Sequence, residues 1–225
     1  MLKWLKNVFG VNKNHAEEED YIVELRYLDT VSTRSSLEKA LELADRHNNR
    51  PATIKGLIKI LALRKQAQLM AAVPRQGQDK IPSYSSFNYL LQRMPVSSIL
   101  ESKGEKNIEL SKDIVLPWPW AEARFESLHL YGRDVGNPWQ FDQTNHRVEW
   151  FEPVELGFVS GGNHSIMAGI LAGEGILPAE NVYNLAKFYL ACHLDNECYV
   201  YENERFPVID WDMATILELG RRLNP

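Results

Sequence analysis

The sequence has little cysteine and no long hydrophobic run. Its two cysteines, Cys192 and Cys198, form neither a CxxC pair nor a set of four metal ligands. A zinc site is therefore not expected, and both residues are predicted to be reduced thiols. No stretch approaches the roughly 18 consecutive apolar residues that a membrane helix needs. We therefore expect a cytoplasmic protein with no transmembrane segment.

The sequence also has no excess of positive charge, since 25 lysine and arginine residues stand against 30 aspartate and glutamate residues and the formal net charge is −5. A large nucleic-acid-binding surface needs clustered lysine and arginine, so we expect no such surface, although a local basic patch fits the composition. The hydrophobic content of 44% and the charged content of 24% are typical of a globular protein. The length is sufficient for one substantial core, with or without a small helical appendage.

The most informative stretch, residues 154–173, changes its hydrophobic period at a pair of glycines. Apolar residues alternate with others along 154–160, which is the period of a strand. From residue 166 onwards, apolar residues recur at helical spacing. Gly161 and Gly162 separate the two patterns, and glycine lets a chain turn sharply without steric cost. The stretch therefore predicts a strand, a diglycine turn and a helix.

The residues that follow the glycine pair are suited to binding an anion. The first turn of a helix leaves backbone N–H groups unpaired, and the helix dipole favours negative charge there. Asn163, His164 and Ser165 occupy this turn, so we interpret them, with Gly161 and Gly162, as candidate site residues. Within this set, His164 could bond a phosphate or act as a catalytic acid or base. The alternative is that Asn163 or Ser165 only caps the helix.

His146 is the second candidate catalytic histidine, beside His164. It begins a predicted strand over 146–151, which could pair with the strand at 154–160 as a hairpin. Two histidines near Asp134, Asp142 or Glu174 could bind a metal or move protons. A structural histidine bonded to the backbone is the more common case, and we assign no metal ligands. Hairpin pairing need not bring the two histidines together, so the sequence leaves their separation open.

Four of the six tryptophans fall between residues 113 and 158. Such a group could stack a base. Packing in the core and at its rim is the favoured interpretation, because a domain of this kind must fill its interior. These tryptophans are Trp118, Trp120, Trp139 and Trp150.

The GGNHSIMAGIL segment resembles the ParB/sulfiredoxin-like superfamily, in which a strand ends in a glycine turn and a histidine or arginine pair opens a helix. Gly161, Gly162 and His164 match this frame, and Ala168 matches the small residue one turn into the helix. In sulfiredoxins this turn binds ATP phosphates, and in ParB proteins an arginine-rich version binds CTP. The resemblance, which covers roughly residues 113–176, implies a nucleotide-binding turn.

Two departures from that pattern limit what the resemblance implies. Asn163 stands in the place of the sulfiredoxin cysteine, so peroxiredoxin repair is not implied. Ser165 stands in the place of the phosphate-pairing arginine, and Arg124 could supply that charge from another element. The whole sequence also resembles an uncharacterised bacterial protein family of about this length, which implies no activity.

The expected fold class is α+β (or α/β), with a small mixed sheet and packed helices, preceded by a helical N-terminal part. Residues 1–82 form the helical part. Two helices in it are expected to form a hairpin, the first ending near residues 47–50 and the second near residue 72, and a loop is expected at 74–82. Residues 83–225 form the domain that contains the diglycine turn. Within it, 103–112 is expected to be exposed. Strands are predicted at 114–116, 197–202 and 208–209, and helices near 86–93, from 177–180 and after Asp210.

The leading functional interpretation is a cytoplasmic nucleotide- or phosphate-binding protein that could act as a nucleotide hydrolase or nuclease. Its ligand would be a nucleotide, with or without a divalent metal. The alternative is a non-enzymatic interaction module whose N-terminal helix, near residues 1–10, and exposed tryptophans bind a protein partner. An open pocket at the diglycine turn favours the first interpretation, and a fully packed His164 favours the second.

Overall fold

Two packed helices open the described part of the chain. The computed structural model describes residues 32–80, 101–102 and 104–224. Helix α1 (Arg34–Arg46) begins after Thr33, whose N–H donates to the Ser36 hydroxyl at 3.2 Å. Thr33 is therefore the residue at the capping position of α1. Helix α2 (Arg50–Met70) follows and packs on α1, which confirms the predicted helical hairpin.

The chain remains helical beyond α2, where the sequence predicts a loop. Helix α3 (Ala72–Gln76) and a 3₁₀ turn at Gln78–Lys80 occupy this segment, so the predicted loop at 74–82 is wrong for these residues. Pro74 is tolerated because it lies in the first turn of α3, where a missing N–H breaks no helical hydrogen bond. The predicted helix near 86–93 and the N-terminal helix near 1–10 lie outside the described residues.

Ten short strands and three further helices make up the rest of the described chain. The strands are β1 (Glu101–Ser102), β2 (Asn107–Glu109), β3 (Ile114–Leu116), β4 (Arg147–Glu152), β5 (Leu156–Gly161), β6 (Ile176–Pro178), β7 (Asn181–Asn184), β8 (Cys192–Asp195), β9 (Cys198–Tyr201) and β10 (Glu204–Pro207). The helices are α4 (Asn163–Ala172), α5 (Ala186–Ala191) and α6 (Trp211–Arg221). A 3₁₀ segment at Glu122–Leu130 follows β3. Together they confirm the α+β fold class.

The central sheet has five strands in the order β1-β7-β4-β5-β3. It is mixed, because β4 and β5 are antiparallel whereas β5 runs parallel to β3 and β4 runs parallel to β7. Two small sheets accompany it, β10-β9-β8 and β2-β6. The predicted hairpin of β4 and β5 is confirmed. Its register pairs Arg147 with Gly161, so the start of β4 lies beside the end of β5.

Both faces of the central sheet are covered by apolar side chains. Because side chains alternate along a strand, Phe151 and Trp150 belong to different clusters. The cluster with Phe151 also contains buried residues of α1, α2 and α6. The cluster with Trp150 contains Ile166 of α4. Helix α4 therefore leaves the sheet at the end of β5 and packs on the face opposite to α1, α2 and α6.

Three sequence predictions beyond residue 100 are wrong. The 103–112 segment was expected to be exposed, but it contains β2, in which Ile108 is fully buried. The helix expected from 177–180 begins only at Ala186, because β6 and β7 pair with β2 and β4 over the preceding residues. The second strand of the C-terminal hairpin is β10, not 208–209.

The end of the chain follows the predictions more closely. Strand β9 falls within the predicted strand at 197–202. Helix α6 begins after Asp210, whose carboxylate accepts from the Met213 N–H at 3.1 Å, as expected for a capping residue. Among the described residues, no helix has both the length and the apolar character needed to cross a membrane. The boundary between 1–82 and 83–225 remains a prediction, because residues 81–100 are not described.

Candidate functional site

The diglycine turn joins β5 directly to α4, as the sequence predicts. Gly162 has φ 75° and ψ 27°, in the left-handed region, and precedes the first residue of α4. A Cβ placed on Gly162 would lie 2.5 Å from Cδ2 of His146, and one placed on Gly161 would lie 2.7 Å from the Asn145 carbonyl oxygen. Both positions therefore require glycine for space, and Gly162 requires it also for its backbone conformation.

The N-terminus of α4 carries no side-chain cap, because its capping position is Gly162. Ile166 N–H is bonded to the Gly162 carbonyl at 2.9 Å. Within the described residues, none accepts a hydrogen bond from the N–H groups of Asn163, His164 or Ser165. The alternative that Asn163 or Ser165 only caps the helix is therefore wrong. Three backbone donors remain available at the positive end of the helix dipole.

The side chains of Asn163 and His164 hold a neighbouring loop. Oδ1 of Asn163 accepts from the Trp118 N–H at 2.5 Å, and Nε2 of His164 accepts from the Ala121 N–H at 3.1 Å. Since Nε2 is an acceptor, the neutral imidazole of His164 carries its proton on Nδ1. Burial, and then the nearby charge of Arg124, lower the pKa of His164. At neutral pH His164 is thus an uncharged hydrogen-bond donor.

His146 is nearly fully buried and is held from three sides. Its ring stacks on Trp139, with 4.8 Å between the centroids and 18° between the planes. Nδ1 accepts from the Asp142 N–H at 3.0 Å, so the proton lies on Nε2, which donates to the Ser165 hydroxyl oxygen at 2.9 Å. Burial lowers the pKa of His146 and so favours this neutral form. The Ser165 hydroxyl is therefore left with its own proton to donate elsewhere.

A cavity of about 520 Å³ opens beside the turn, within the range typical of small-molecule sites. All the residues that the sequence analysis selected line it, although they come from three parts of the chain. They are Gly161, Gly162, Asn163, His164, Ser165, His146 and Arg124. The hairpin register explains why His146 and His164 share this cavity, since it places the start of β4 beside the glycine turn.

The cavity contains one cationic and one anionic side chain among the described residues that line it, Arg124 and Asp142. Hydrogen bonds from the Thr144 hydroxyl and N–H lower the pKa of Asp142, so its carboxylate is charged at neutral pH. Asp142 is one of the three carboxylates expected near the histidine pair, although it was not assigned a site role from the sequence. Its place in the loop before β4 is the signal that could have singled it out, because the hairpin brings that loop to the glycine turn.

The chain matches a family model described as "Family of unknown function (DUF6710)" over residues 7–225. It belongs to this family. The expectation of an uncharacterised family is thereby confirmed, and the match includes every residue of the cavity. No curated protein and no solved structure matches the chain.

The tryptophans of this DUF6710 member divide between the core and the cavity. Trp139 and Trp150 are buried in one apolar cluster, so core packing is confirmed for these two and a platform of all four is wrong. Trp118 is half-buried. Trp120 remains 60% exposed and lines the cavity. One tryptophan of the four is therefore both exposed and adjacent to the candidate site.

A second cavity of this DUF6710 member is smaller than the one at the glycine turn. Across the described ranges, no three histidine, cysteine, aspartate or glutamate side chains are grouped to hold a metal ion. A smaller cavity of about 240 Å³ lies between α2 and the turn after β4. Its residues Lys55 and Lys112 form ion pairs with Glu155 and Glu109. The candidate site is therefore the cavity at the glycine turn.

Proposed function

We propose that this chain is a nucleotide- or phosphate-binding protein, and that the cavity at the glycine turn holds the phosphate group. The observation that carries the proposal is the uncapped N-terminus of α4, which opens at Gly162 into a 520 Å³ cavity that Arg124 also lines. Backbone N–H groups at a helix start, together with a guanidinium group, form a recurrent combination for binding phosphate.

The other polar groups near α4 support an anionic ligand because they are donors. His146 donates to the oxygen of Ser165, so the Ser165 hydroxyl can donate to a ligand. His164 has its proton on Nδ1 because Nε2 accepts from the Ala121 N–H. Neither imidazole needs to be charged for this arrangement. The phosphate would thus be bound by N–H and O–H groups, with Arg124 contributing the positive charge.

Asp142 opposes an anion in the same cavity, and this supports a bound divalent metal in addition to the nucleotide. Mg²⁺ is commonly held by one or two carboxylates together with phosphate oxygens and water. Asp142 is charged at neutral pH, since hydrogen bonds from Thr144 lower its pKa. A cation between Asp142 and the phosphate would convert their repulsion into attraction. We therefore propose that a divalent metal strengthens nucleotide binding.

The finer parts of the proposal are the ParB/sulfiredoxin-like character of the turn, the cytoplasmic location and a hydrolytic activity. The first is supported by the shared order of strand, glycine turn and helix with His164 in the first turn. For hydrolysis, a general base needs an available lone pair. In His146 and His164 one ring nitrogen accepts a backbone N–H. The geometry therefore supports binding more directly than hydrolysis by a nucleotide hydrolase or nuclease.

The alternative function, a protein-interaction module, depends on the N-terminal helix near residues 1–10, which lies outside the described residues. The environment of the His164 side chain distinguishes between the two proposed functions. It is half-buried and lines an open cavity, although it also bonds a backbone N–H. The open cavity favours ligand binding.

The test is a thermal-shift titration with inorganic phosphate and with nucleotides, each with and without Mg²⁺. A ligand at about 100 times its dissociation constant should stabilise the protein by roughly 2.7 kcal/mol. Gly162→Ala should abolish the shift, because the added Cβ would meet His146. Gly173→Ala is the matched control. Gly173 ends the same helix with φ 66° and ψ 29°, and a Cβ there would have no neighbour within 4 Å.

A second pair of variants guards against misfolding of Gly162→Ala. Arg124 is exposed, so Arg124→Gln should fold normally while reducing phosphate affinity by about ten-fold. Arg75→Gln, at an exposed arginine in α3 that does not line the cavity, should leave affinity unchanged. Absence of any stabilisation of the wild-type protein by phosphate or nucleotide would refute the proposed function.

A further inference from the structure

We propose that Trp120 stacks on the base of the bound ligand, so that the site takes a nucleoside phosphate in preference to a free phosphate or a sugar phosphate. This inference rests on the proposed function, because it assumes that a phosphate lies at the start of α4. The feature that carries it is one exposed tryptophan, held at the cavity wall by the same residues that open α4.

Trp120 is exposed where a ligand could reach it. Its side chain is 60% exposed, although the tryptophans Trp139 and Trp150 are buried. Trp120 lines the cavity together with His164, and the two rings are in an edge contact with 5.9 Å between their centroids. Most of the lining is polar, so the exposed indole gives this cavity a large apolar surface on which a ligand can pack.

The position of Trp120 is fixed by hydrogen bonds on both sides of it. Trp118 N–H donates to Asn163, and Ala121 N–H donates to His164. Pro119 further restricts the backbone between them, because the proline ring fixes φ. The backbone at Trp120 is therefore held next to the first turn of α4 before any ligand binds, and the indole contacts the ring of His164 there. Such pre-organisation reduces the conformational entropy lost on binding.

The cavity offers aromatic surface as well as hydrogen-bond donors. Tyr131, which is 38% exposed, and the partly buried Leu128 line the same cavity. The lining of the cavity thus combines donors at the start of α4 with the rings of Trp120 and Tyr131. A nucleotide combines an anion with a flat ring in one molecule. Because every base has a π face, stacking tolerates different bases, and we expect purines to bind more tightly than pyrimidines.

The experiment compares three ligands by titration calorimetry: AMP, ribose 5-phosphate and inorganic phosphate. The wild-type protein should bind AMP at least ten-fold more tightly than ribose 5-phosphate. Trp120→Leu should lose this advantage and bind inorganic phosphate unchanged. Trp120→Phe, which keeps an aromatic ring, should retain most of it. Leu190→Ala, at a residue that is 88% exposed and does not line the cavity, should have no effect.

The outcomes separate the two proposals. If AMP, ribose 5-phosphate and inorganic phosphate bind equally to the wild-type protein, the phosphate site stands and the stacking inference is refuted. The stacking inference is also refuted if Trp120→Leu keeps the full preference for AMP. If none of the three ligands binds, the proposed function fails and the inference fails with it. Because Trp120 is mostly exposed, its variants should melt close to the wild-type temperature.

Discussion

Removal of His146 should chiefly lower the stability of the protein, whereas removal of His164 should chiefly weaken ligand binding. His146 is 5% exposed, stacks on Trp139 and donates to Ser165. An aromatic contact of this kind contributes about 0.5–1.5 kcal/mol, and a lost hydrogen bond about 1 kcal/mol. With the cavity left behind by the missing ring, His146→Ala should lower the free energy of unfolding by about 2–3 kcal/mol.

His164→Ala should be milder, because the ring of His164 is half-buried and water from the cavity can replace its bond to Ala121. We expect a loss of about 1 kcal/mol or less, together with weaker binding of phosphate or nucleotide. The two variants therefore differ in which property they damage most.

Urea melts of the two variants, followed by phosphate titration of the folded protein, measure both properties. His146→Asn and His146→Gln refine the test. Asn can offer an acceptor near the position of Nδ1, whereas Gln can offer a donor near that of Nε2, so each should recover part of the stability. The reasoning fails if His146→Ala costs less than about 0.5 kcal/mol, or if His164→Ala costs more than about 2 kcal/mol and leaves ligand binding intact.

Two further predictions concern pH and a buried ion-pair group. The pKa values of both cavity histidines are lowered in the folded protein from 6.5, chiefly by burial, so the unfolded chain binds more protons below that pH. The free energy of unfolding should therefore be constant above about pH 7 and fall as the pH drops through 6.5. Urea melts from pH 5 to 8 measure this dependence. They should show it in the wild type and not in a double variant with His146→Asn and His164→Asn. Lys65 contacts the Asp210 carboxylate at 2.6 Å and is only 11% exposed, so Lys65→Met should cost about 2 kcal/mol in a urea melt. Lys59→Met on the exposed side of α2 should change stability by less than about 0.5 kcal/mol, and equal effects of the two lysine variants would contradict the assignment.

The parts of the fold that the sequence predicted correctly depend on local chemistry. A change of hydrophobic period at two glycines was enough to predict β5, the turn and α4. Asp210 was predicted as a helix cap because its carboxylate can reach the first-turn N–H groups of its own helix. In each case the residues that determine the secondary structure are close to one another in the sequence.

The wrong predictions depend on partners that are distant in sequence. Val182, Leu185 and Tyr189 have helical spacing, but Val182 pairs with Trp150 of β4 and belongs to a strand. Residue 108 is buried because β2 pairs with β6, about seventy positions later. Local periodicity cannot reveal such pairing, because the burial it creates comes from another part of the chain.

The relation between the two histidines could have been predicted and was left open. The hairpin of β4 and β5 was expected, and in an antiparallel pair the first residue of one strand faces the last residue of the other. His146 must then lie beside Gly162, as the register of Arg147 with Gly161 shows. The positions of Trp120 and Arg124 could not be obtained in this way, since they depend on a loop whose backbone N–H groups donate to side chains of α4.

The close approach of Gly162 to His146 makes residues 146 and 162 share one fixed volume. A Cβ at position 162 would lie 2.5 Å from the imidazole of His146. A residue other than glycine therefore fits at 162 only if the side chain at 146 is smaller or lies elsewhere. In chains related to this one, an alanine or larger residue at 162 should therefore occur with a residue smaller than histidine at 146. A substitution at 162 would then act on the hydroxyl of residue 165 through the lost imidazole, without touching the serine itself.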